Sequence, residues 1–390
     1  MRLRDARALQ PAQPVSTRPW AEETVYHSGE AFFGDLLEAI SKARRSIELE
    51  TYIYDRDQLG NRVAHALSSA AERGVHVRLL IDGVGSAHWS WAHAAPLAAN
   101  GVQVRFYHPL PWQHQGGFPL WKYLAPERIA LGVSKLNRRN HRKTCVIDGE
   151  TAFAGGMNIS ARHLGPKAWR DTAVRVAGEG VREISDSFRH AWVHSRGALS
   201  TWRRRIGPIF QSSWVRTNND RGERRSEYDG LLQRIIHSRS RVWITTPYFV
   251  PDRALFSALR SAAKSGSDVR LLLPYQSDVW GFKWANHAFY LPLLAAGARI
   301  YEYEASILHA KTLLIDDWAQ VGSSNMNHRS LLHDLEVDIV LGTAESLLEM
   351  ESRFLADLAS SRQVELRTWR LRPWTERAFE QAALTLRHWL

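Results

Sequence analysis

The stretch His141-Arg142-Lys143-Thr144-Cys145-Val146-Ile147-Asp148 returns in outline as His309-Ala310-Lys311-Thr312-Leu313-Leu314-Ile315-Asp316. Chance would supply on the order of 0.02 matches to His-x-Lys-x4-Asp in a chain of this composition, so two matches in like surroundings mark a duplicated site. An imidazole beside a fixed ammonium is an arrangement for phosphate. The Lys neutralises non-bridging oxygens, and the His attacks phosphorus or gives up a proton. Both motifs read as buried strands in which i and i+2 share a face, which sets His141 beside Lys143 and His309 beside Lys311. Asp148 and Asp316 complete the catalytic motif, yet by parity they fall on the opposite face near hairpins, where they brace strand and turn.

Each motif is followed by a return ending in Asn: Gly155-Gly156-Met157-Asn158 and Gly322-Ser323-Ser324-Asn325. Small residues let backbone N–H groups approach an anion, and the Asn amide adds a donor. The expectation is a two-fold cage of His, Lys and Asn around one phosphate. The bland alternative is satisfied core histidines and structural salt bridges, against which the duplication weighs. A cation two residues from each His on the same face is hostile to a divalent ion, so neither metal nor cofactor is expected.

The elements that must hold these residues also repeat. Ser46 to Ile53 and Gly74 to Asp82 read as strands around a helical pattern (Val63, Ala66, Leu67, Ala70). Arg241 to Tyr248 and Gly266 to Leu273 do the same around Leu255, Leu259, Ala262 and Ala263. That is α/β architecture twice, giving two similar halves over 25–202 and 229–362 with the site at their interface. Arg78 to His141 covers 63 positions where Arg270 to His309 covers 39, so the first half carries an insertion. It lies within 108–140, mixes Trp112, Phe118, Trp121 and Tyr123 with Gly116-Gly117, and ends in Lys135, Arg138 and Arg139; a lid and a solvated excursion both fit. Residues 1–24 read as a basic tail and the aperiodic, Arg-rich 203–228 as a linker. In 363–390, Trp374, Ala378, Ala382, Leu386 and Leu390 recur at i+4, with Phe379, Ala383 and Trp389 beside them. That is an amphipathic helix, flanked by Arg367, Arg370, Arg372, Arg377 and Arg387, which docks either on its own domain or on lipid.

The formal charge is +11, and Arg supplies 43 of the 51 basic residues, which suits bidentate recognition of phosphate. A polyanionic partner is implied, and nucleic acid and an anionic membrane surface both fit. A single cysteine, Cys145, excludes an internal disulfide and a multi-cysteine zinc site. No apolar run reaches the length of a signal peptide or a spanning helix.

The two motifs with their Gly-Ser/Gly-x-Asn returns resemble the phospholipase D superfamily over roughly Val25 to Ser361. More narrowly, Glu50-Thr51-Tyr52-Ile53-Tyr54, Asp82-Gly83-Val84-Gly85-Ser86, Asn140-His141-Arg142-Lys143, Ala154-Gly155-Gly156-Met157-Asn158 and Thr246-Pro247-Tyr248-Phe249 are similar to bacterial cardiolipin synthases. Without two N-terminal spanning helices, the resemblance is to their short, cardiolipin synthase B kind. It implies two α/β halves whose motifs meet at the interface, and ping-pong chemistry through a phosphohistidine. His141 is expected as nucleophile, and His309 as the acid that later becomes the base. Asp171 and Glu336 stand where family members place an acid that holds the far ring nitrogen. One departure is that Asp316 to Gly322 is a residue shorter than Asp148 to Gly155, which predicts a tighter second hairpin.

The leading expectation is phosphatidyl transfer from phosphatidylglycerol to a lipid glycerol hydroxyl, peripheral on the cytoplasmic side of the bacterial inner membrane. Hydrolysis of phospholipid to phosphatidate is the same chemistry with water as acceptor. A nuclease of the superfamily suits the charge, but nucleic acid is the less favoured partner. A non-enzymatic membrane scaffold ranks last, because both His, both Lys and both Asn are intact. The oligomeric state is left open.

Overall fold

Two mixed β-sheets carry the chain, and the same strand order recurs in both. The computed structural model describes residues 20–116, 138–195, 214–279 and 281–385. The first sheet comprises β1 (Glu22–Tyr26), β2 (Ser46–Thr51), β3 (His76–Asp82), β4 (Gln103–Tyr107), β5 (Thr144–Ile147), β6 (Thr151–Gly155) and β7 (Ala173–Ala177), in the order β1-β7-β6-β5-β2-β3-β4. Its helices are α1 (Gly29–Lys42), α2 (Gln58–Glu72), α3 (Trp91–Ala99) and α4 (Val181–His194).

The second sheet comprises β8 (Val215–Thr217), β9 (Arg241–Thr245), β11 (Asp268–Pro274), β12 (Arg299–Tyr303), β13 (Thr312–Ile315), β14 (Trp318–Gly322), β16 (Val337–Leu341) and β17 (Ser361–Val364), in the order β17-β12-β11-β9-β13-β14-β16-β8. Two short strands, β10 (Phe249–Val250) and β15 (Met326–Asn327), pair beside it. Its helices are α5 (Arg221–Ile236), α6 (Arg253–Lys264), α7 (Phe282–His287), α8 (Tyr290–Leu294), α9 (His328–Leu332), α10 (Ala344–Ala359), α11 (Leu366–Arg370) and α12 (Trp374–Thr385). Thus β2, β3, β4, β5, β6 and β7 answer β9, β11, β12, β13, β14 and β16.

The strand and helix units expected at Ser46 and Arg241 form as parallel pairs, β2 with β3 and β9 with β11. Asp57 and Asp252 cap the crossover helices by accepting backbone N–H bonds. One apolar stripe of each helix (Val63, Leu67, Ala70; Leu255, Leu259, Ala262) is buried on its sheet. The opposite sheet faces pack on one another, with Val146, Ala154, Val174 and Val176 meeting Leu314, Val321, Ile339 and Leu341. Apolar burial at about 25 cal/mol per Å² makes this shared core the main force holding the halves together.

Three expected boundaries move. Residues 22–24 are strand rather than tail, and just before them the buried Trp20 indole donates to Val340 O at 3.0 Å, tying the first half to the second. The linker ends earlier: β8 extends the second sheet by pairing with β16, and α5 begins at Arg221. That helix hid from periodicity because its buried apolar residues, Leu231 and Ile235, lie in its last turns, while Arg224 nearer its start is held by Asn218 O and Leu332 O. At the other end, residues 363–364 continue β17. Most of the insertion, including Phe118, Trp121, Tyr123 and Lys135, lies outside the described residues, as do 203–213 of the linker. Among the described residues no helix is long and apolar enough to cross a membrane.

Candidate active site

The two motifs enter their strands as extended loops, and each loop is bonded to the other half. His141 N donates to Leu335 O at 3.0 Å and Leu335 N to Arg139 O at 2.8 Å. Symmetrically, His309 N donates to Arg170 O and Arg170 N to Ile307 O, both at 2.8 Å. The residue after Arg170 is Asp171 and the residue after Leu335 is Glu336, so the acids are delivered crosswise. His141 Nδ1 lies 3.0 and 3.1 Å from the Glu336 carboxylate oxygens, and His309 Nδ1 lies 2.6 Å from Asp171 Oδ2. Each half orients the other's imidazole, which neither half does alone. With Nδ1–H committed on both rings, Nε2 is the reactive nitrogen.

The surroundings of the rings are unequal. Burial lowers the His141 pKa well below the usual imidazole value, and Lys143, Lys311 and His309 push the same way. Burial and Lys311 also lower His309, but the Asp171 charge and hydrogen bond oppose them. Burial drives Glu336 up to about 7 despite Lys143 and the Ser330 hydroxyl, which donates to it at 2.6 Å. Burial pushes Asp171 up as well, yet His309 and Lys311 outweigh it and hold Asp171 down at about 2. Both rings are lowered, but only His309 faces an acid whose charge and hydrogen bond oppose the lowering, so of the two it is the better placed to hold a proton. The ammonium groups fold back on their own motifs: Lys143 Nζ donates to His141 O at 2.5 Å, and Lys311 Nζ donates to His309 O and lies 3.1 Å from His309 Nδ1. Burial lowers Lys143 to about 7 and Lys311 to about 8.

The Gly-rich returns act differently from the sequence expectation. Their N–H groups are spent on protein acceptors: Gly156 N on Thr172 O, Gly322 N on Lys311 O, Ser323 N on Val337 O, and Ser324 N on Asp338 Oδ1. The lack of a side chain makes room for carboxylates. A Cβ on Gly156 would stand 2.1 Å from Asp171 Oδ1, and one on Gly322 1.9 Å from Asp338 Oδ1. Gly155, at φ +150°, lets β6 close on Ala173, where a Cβ would meet the Ala173 Cα at 2.5 Å. Ser323 O is a second acceptor for His141 Nδ1 at 3.1 Å. Asn158 Oδ1 accepts from Ile53 N at 3.1 Å. Asn325 Nδ2 donates to Ser330 Oγ at 3.4 Å, while its buried Oδ1 has no hydrogen-bond partner among the described residues. The shorter hairpin does not displace Asn325: two residues, against three, join the strands, and Asn325 follows Gly322 by the same step as Asn158 follows Gly155.

Asp148 and Asp316 stand apart from the imidazoles, at the far ends of their strands; seven extended residues span roughly 23 Å. Asp148, at φ 56°, accepts from the backbone N–H groups of Arg44, Arg45 and Ser46. Asp316, at φ 52°, accepts from those of Arg239, Ser240 and Arg241. They clamp the hairpin to the neighbouring strand's entry and do not touch the reacting centre.

Several neighbours had no role assigned to them from the sequence, although Glu50, Tyr52, Asp82 and Asn140 stand in the motifs that carry the resemblance. The Tyr52 ring meets the His141 ring edge-on at 4.9 Å, and Trp169 lies 5.4 Å from His309. Asn140 ties the first motif to the buried Glu50 at 2.8 Å and, through its N–H, to Asp82 at 2.8 Å. His163 is buried with Nε2 accepting from Asn158 N at 3.2 Å, and its Nδ1 is 3.9 Å from Asp171. His163, Asp171 and His309 bring their donor atoms within 4.8 Å of one another. The Lys311 ammonium against His309 Nδ1 puts a fixed positive charge there, and a divalent ion would have to displace it.

Known proteins share this frame. The PLD-like domain of cardiolipin synthase matches residues 36–192 and 231–358. The cardiolipin synthase of Alkalihalophilus pseudofirmus is 33% identical over 381 residues, 94% of this chain and 72% of that protein. That of Halalkalibacterium halodurans is 33% identical over 378 residues, 93% of this chain and 71% of that protein. Among solved structures, phosphatidylserine synthase of Haemophilus influenzae superposes with a TM-score of 0.65 at 12% identity, over 93% of this chain and 92% of its own. At that identity it speaks for the fold alone. The repeated sheets, the crossed motifs and the extent of these matches lead to one assignment: the chain belongs to the cardiolipin synthase family of phospholipase D-like proteins.

Proposed function

We propose that this enzyme, a phosphatidyltransferase of the cardiolipin synthase type, joins two phosphatidylglycerol molecules through a phosphatidyl group held on His141. The observation that carries the assignment of roles is the crossed and unequal pairing, Glu336 on His141 and Asp171 on His309. His141 Nε2 attacks the phosphorus of the donor lipid. The bond to the departing glycerol oxygen breaks, and that oxygen takes the proton from His309 Nε2. Neutral His309 then removes the proton from the glycerol hydroxyl of the second lipid, whose oxygen attacks phosphorus and breaks the P–N bond. The products are cardiolipin and glycerol, and both rings return to their starting states. Lys143 and Lys311 hold the non-bridging oxygens throughout, with Asn158 and Asn325 at the rim of the same cage.

The substrates are anionic phospholipids, and the proposed place of work is the cytoplasmic face of the bacterial inner membrane. The test is incubation of purified protein with phosphatidylglycerol alone, followed by mass analysis. Cardiolipin with an equivalent of glycerol supports transfer. Phosphatidate as the dominant product would convert the reading to hydrolysis, and DNA cleavage without lipid turnover would replace it with a nuclease.

A further inference from the structure

The described start of the apolar stripe on the C-terminal helix, Trp374 and Ala378, is turned outward. At 100° per residue, Trp374 and Ala378 lie about 40° apart on α12, with Arg377 to one side and Phe379 to the other. All four are exposed, as are Arg367 and Arg370 on α11. Leu371 between the helices is 79% exposed, Trp374 77% and Phe379 62%. The inward side carries acids instead: Glu376 and Glu380 reach Arg372 at 3.6 and 2.6 Å, and Arg372 lies 3.3 Å over the Trp369 ring. Among the described residues no carboxylate pairs with Arg367, Arg370 or Arg377. The helix meets its own domain along one edge, where the Phe379 ring lies 5.7 Å from Trp284 and Ala383 packs on the Phe282 cluster, and Leu371 and Trp374 stay exposed beside it.

We infer that Leu371, Trp374 and Phe379, flanked by Arg367, Arg370 and Arg377, form the surface by which this protein lies on an anionic phospholipid bilayer. The chemistry is complementary on both counts: the indole, phenyl and isobutyl groups enter the headgroup boundary, and the guanidinium groups, of which Arg377 also donates to Arg370 O, meet lipid phosphates. The surface also lies on the flank of the second motif. Ala383 of α12 packs on the cluster containing Phe282, whose ring is 4.3 Å from Tyr248. The Tyr248 hydroxyl donates to Asp278 at 2.8 Å, and the Asp278 charge acts on His309 and Lys311. Contacts through Phe282 and Tyr248 thus run from α12 towards the second motif, and this inference deepens the phosphatidyl-transfer reading on which it rests by naming how lipid is brought to the enzyme.

The experiment uses the full chain, vesicle flotation and two triple variants. Vesicles of phosphatidylcholine alone are compared with vesicles containing phosphatidylglycerol, and turnover of a short-chain phosphatidylglycerol below its micellar concentration reports on folding and chemistry. The Arg367→Gln/Arg370→Gln/Arg377→Gln variant is expected to lose affinity for anionic vesicles by on the order of a hundredfold at physiological salt, the difference shrinking at high salt. Leu371→Ser/Trp374→Ser/Phe379→Ser is expected to lose at least about tenfold on both vesicle types. Both keep short-chain turnover. Unchanged vesicle binding in either variant overturns the inference. So does a wild-type dimer that becomes monomeric in the apolar variant while vesicle binding persists, since a second copy then covers the face. Absence of short-chain turnover in the unmodified protein refutes the transfer reading alone, and vesicle binding still decides the surface.

Discussion

Replacing Asp171 with Asn should disable the acid and leave the nucleophile. Asp171 Oδ1 accepts from Thr172 N at 2.8 Å while Oδ2 faces His309 Nδ1 at 2.6 Å. An amide keeps its oxygen on Thr172, so its NH2 turns to His309 and forces the ring proton onto Nε2. That ring is neither an imidazolium acid nor, later, a base at Nε2. A charge-assisted hydrogen bond of about 1.5–3 kcal/mol is lost, and with it the correct protonation state, together about 4 kcal/mol or on the order of a thousandfold in kcat. Glu336→Gln is milder, because Ser323 O at 3.1 Å still accepts the His141 Nδ1 proton; a loss of roughly ten- to a hundredfold is expected. The decisive assay uses a phosphatidyl ester of p-nitrophenol, whose departure needs no acid. Asp171→Asn should then release a burst of p-nitrophenol within about tenfold of the wild-type rate, followed by slow turnover. If Glu336→Gln shows the rescued burst and Asp171→Asn none, the roles of the two histidines are reversed and the argument from unequal acids fails.

Three further outcomes follow from the same geometry. Burial lowers both imidazoles in the free site, and a bound phosphodiester anion raises them again, so the bell-shaped kcat/KM profile should lie on the acid side of the kcat profile; coincident profiles would contradict this. Asp316→Asn should cost about 1–3 kcal/mol of stability by denaturant titration with kcat nearly unchanged, because its carboxylate caps three backbone N–H groups away from the site. Those hydrogen bonds outweigh the upward push of burial and lower the Asp316 pKa to about 2, so the stability difference should be full above the ordinary carboxyl range and vanish as pH falls towards 2. Gly156→Ala, whose methyl would meet Asp171 Oδ1 at 2.1 Å, should reduce kcat by at least about a hundredfold while Gly149→Ala, in the exposed hairpin, leaves it unchanged.

The sequence displayed what is local. Each His lies two residues from its Lys, and the strand and helix units follow a simple period, so the pairs and the duplicated α/β fold were readable. The pairing of imidazole to acid was not: Glu336 is 195 residues from His141, and Asp171 is 138 from His309. Position after the motif suggested that Asp171 and Glu336 matter; it did not say that each serves the other half. The glycines misled for a physical reason. A small residue permits close approach of any group, and here the group is a neighbouring carboxylate rather than a ligand phosphate. The C-terminal stripe was visible, but the side it presents depends on Glu376 and Glu380 finding Arg372, which periodicity does not encode.

The central claim is that both imidazoles serve one phosphorus and that His141 bears it. Trapping the reaction of the activated phosphatidyl donor with His309→Ala protein, followed by mass analysis of peptides at neutral pH, tests this most directly. A phosphatidyl adduct on the peptide containing His141, lost in His141→Ala, is the predicted result. An adduct elsewhere, or full transfer activity in His141→Ala, would contradict the account.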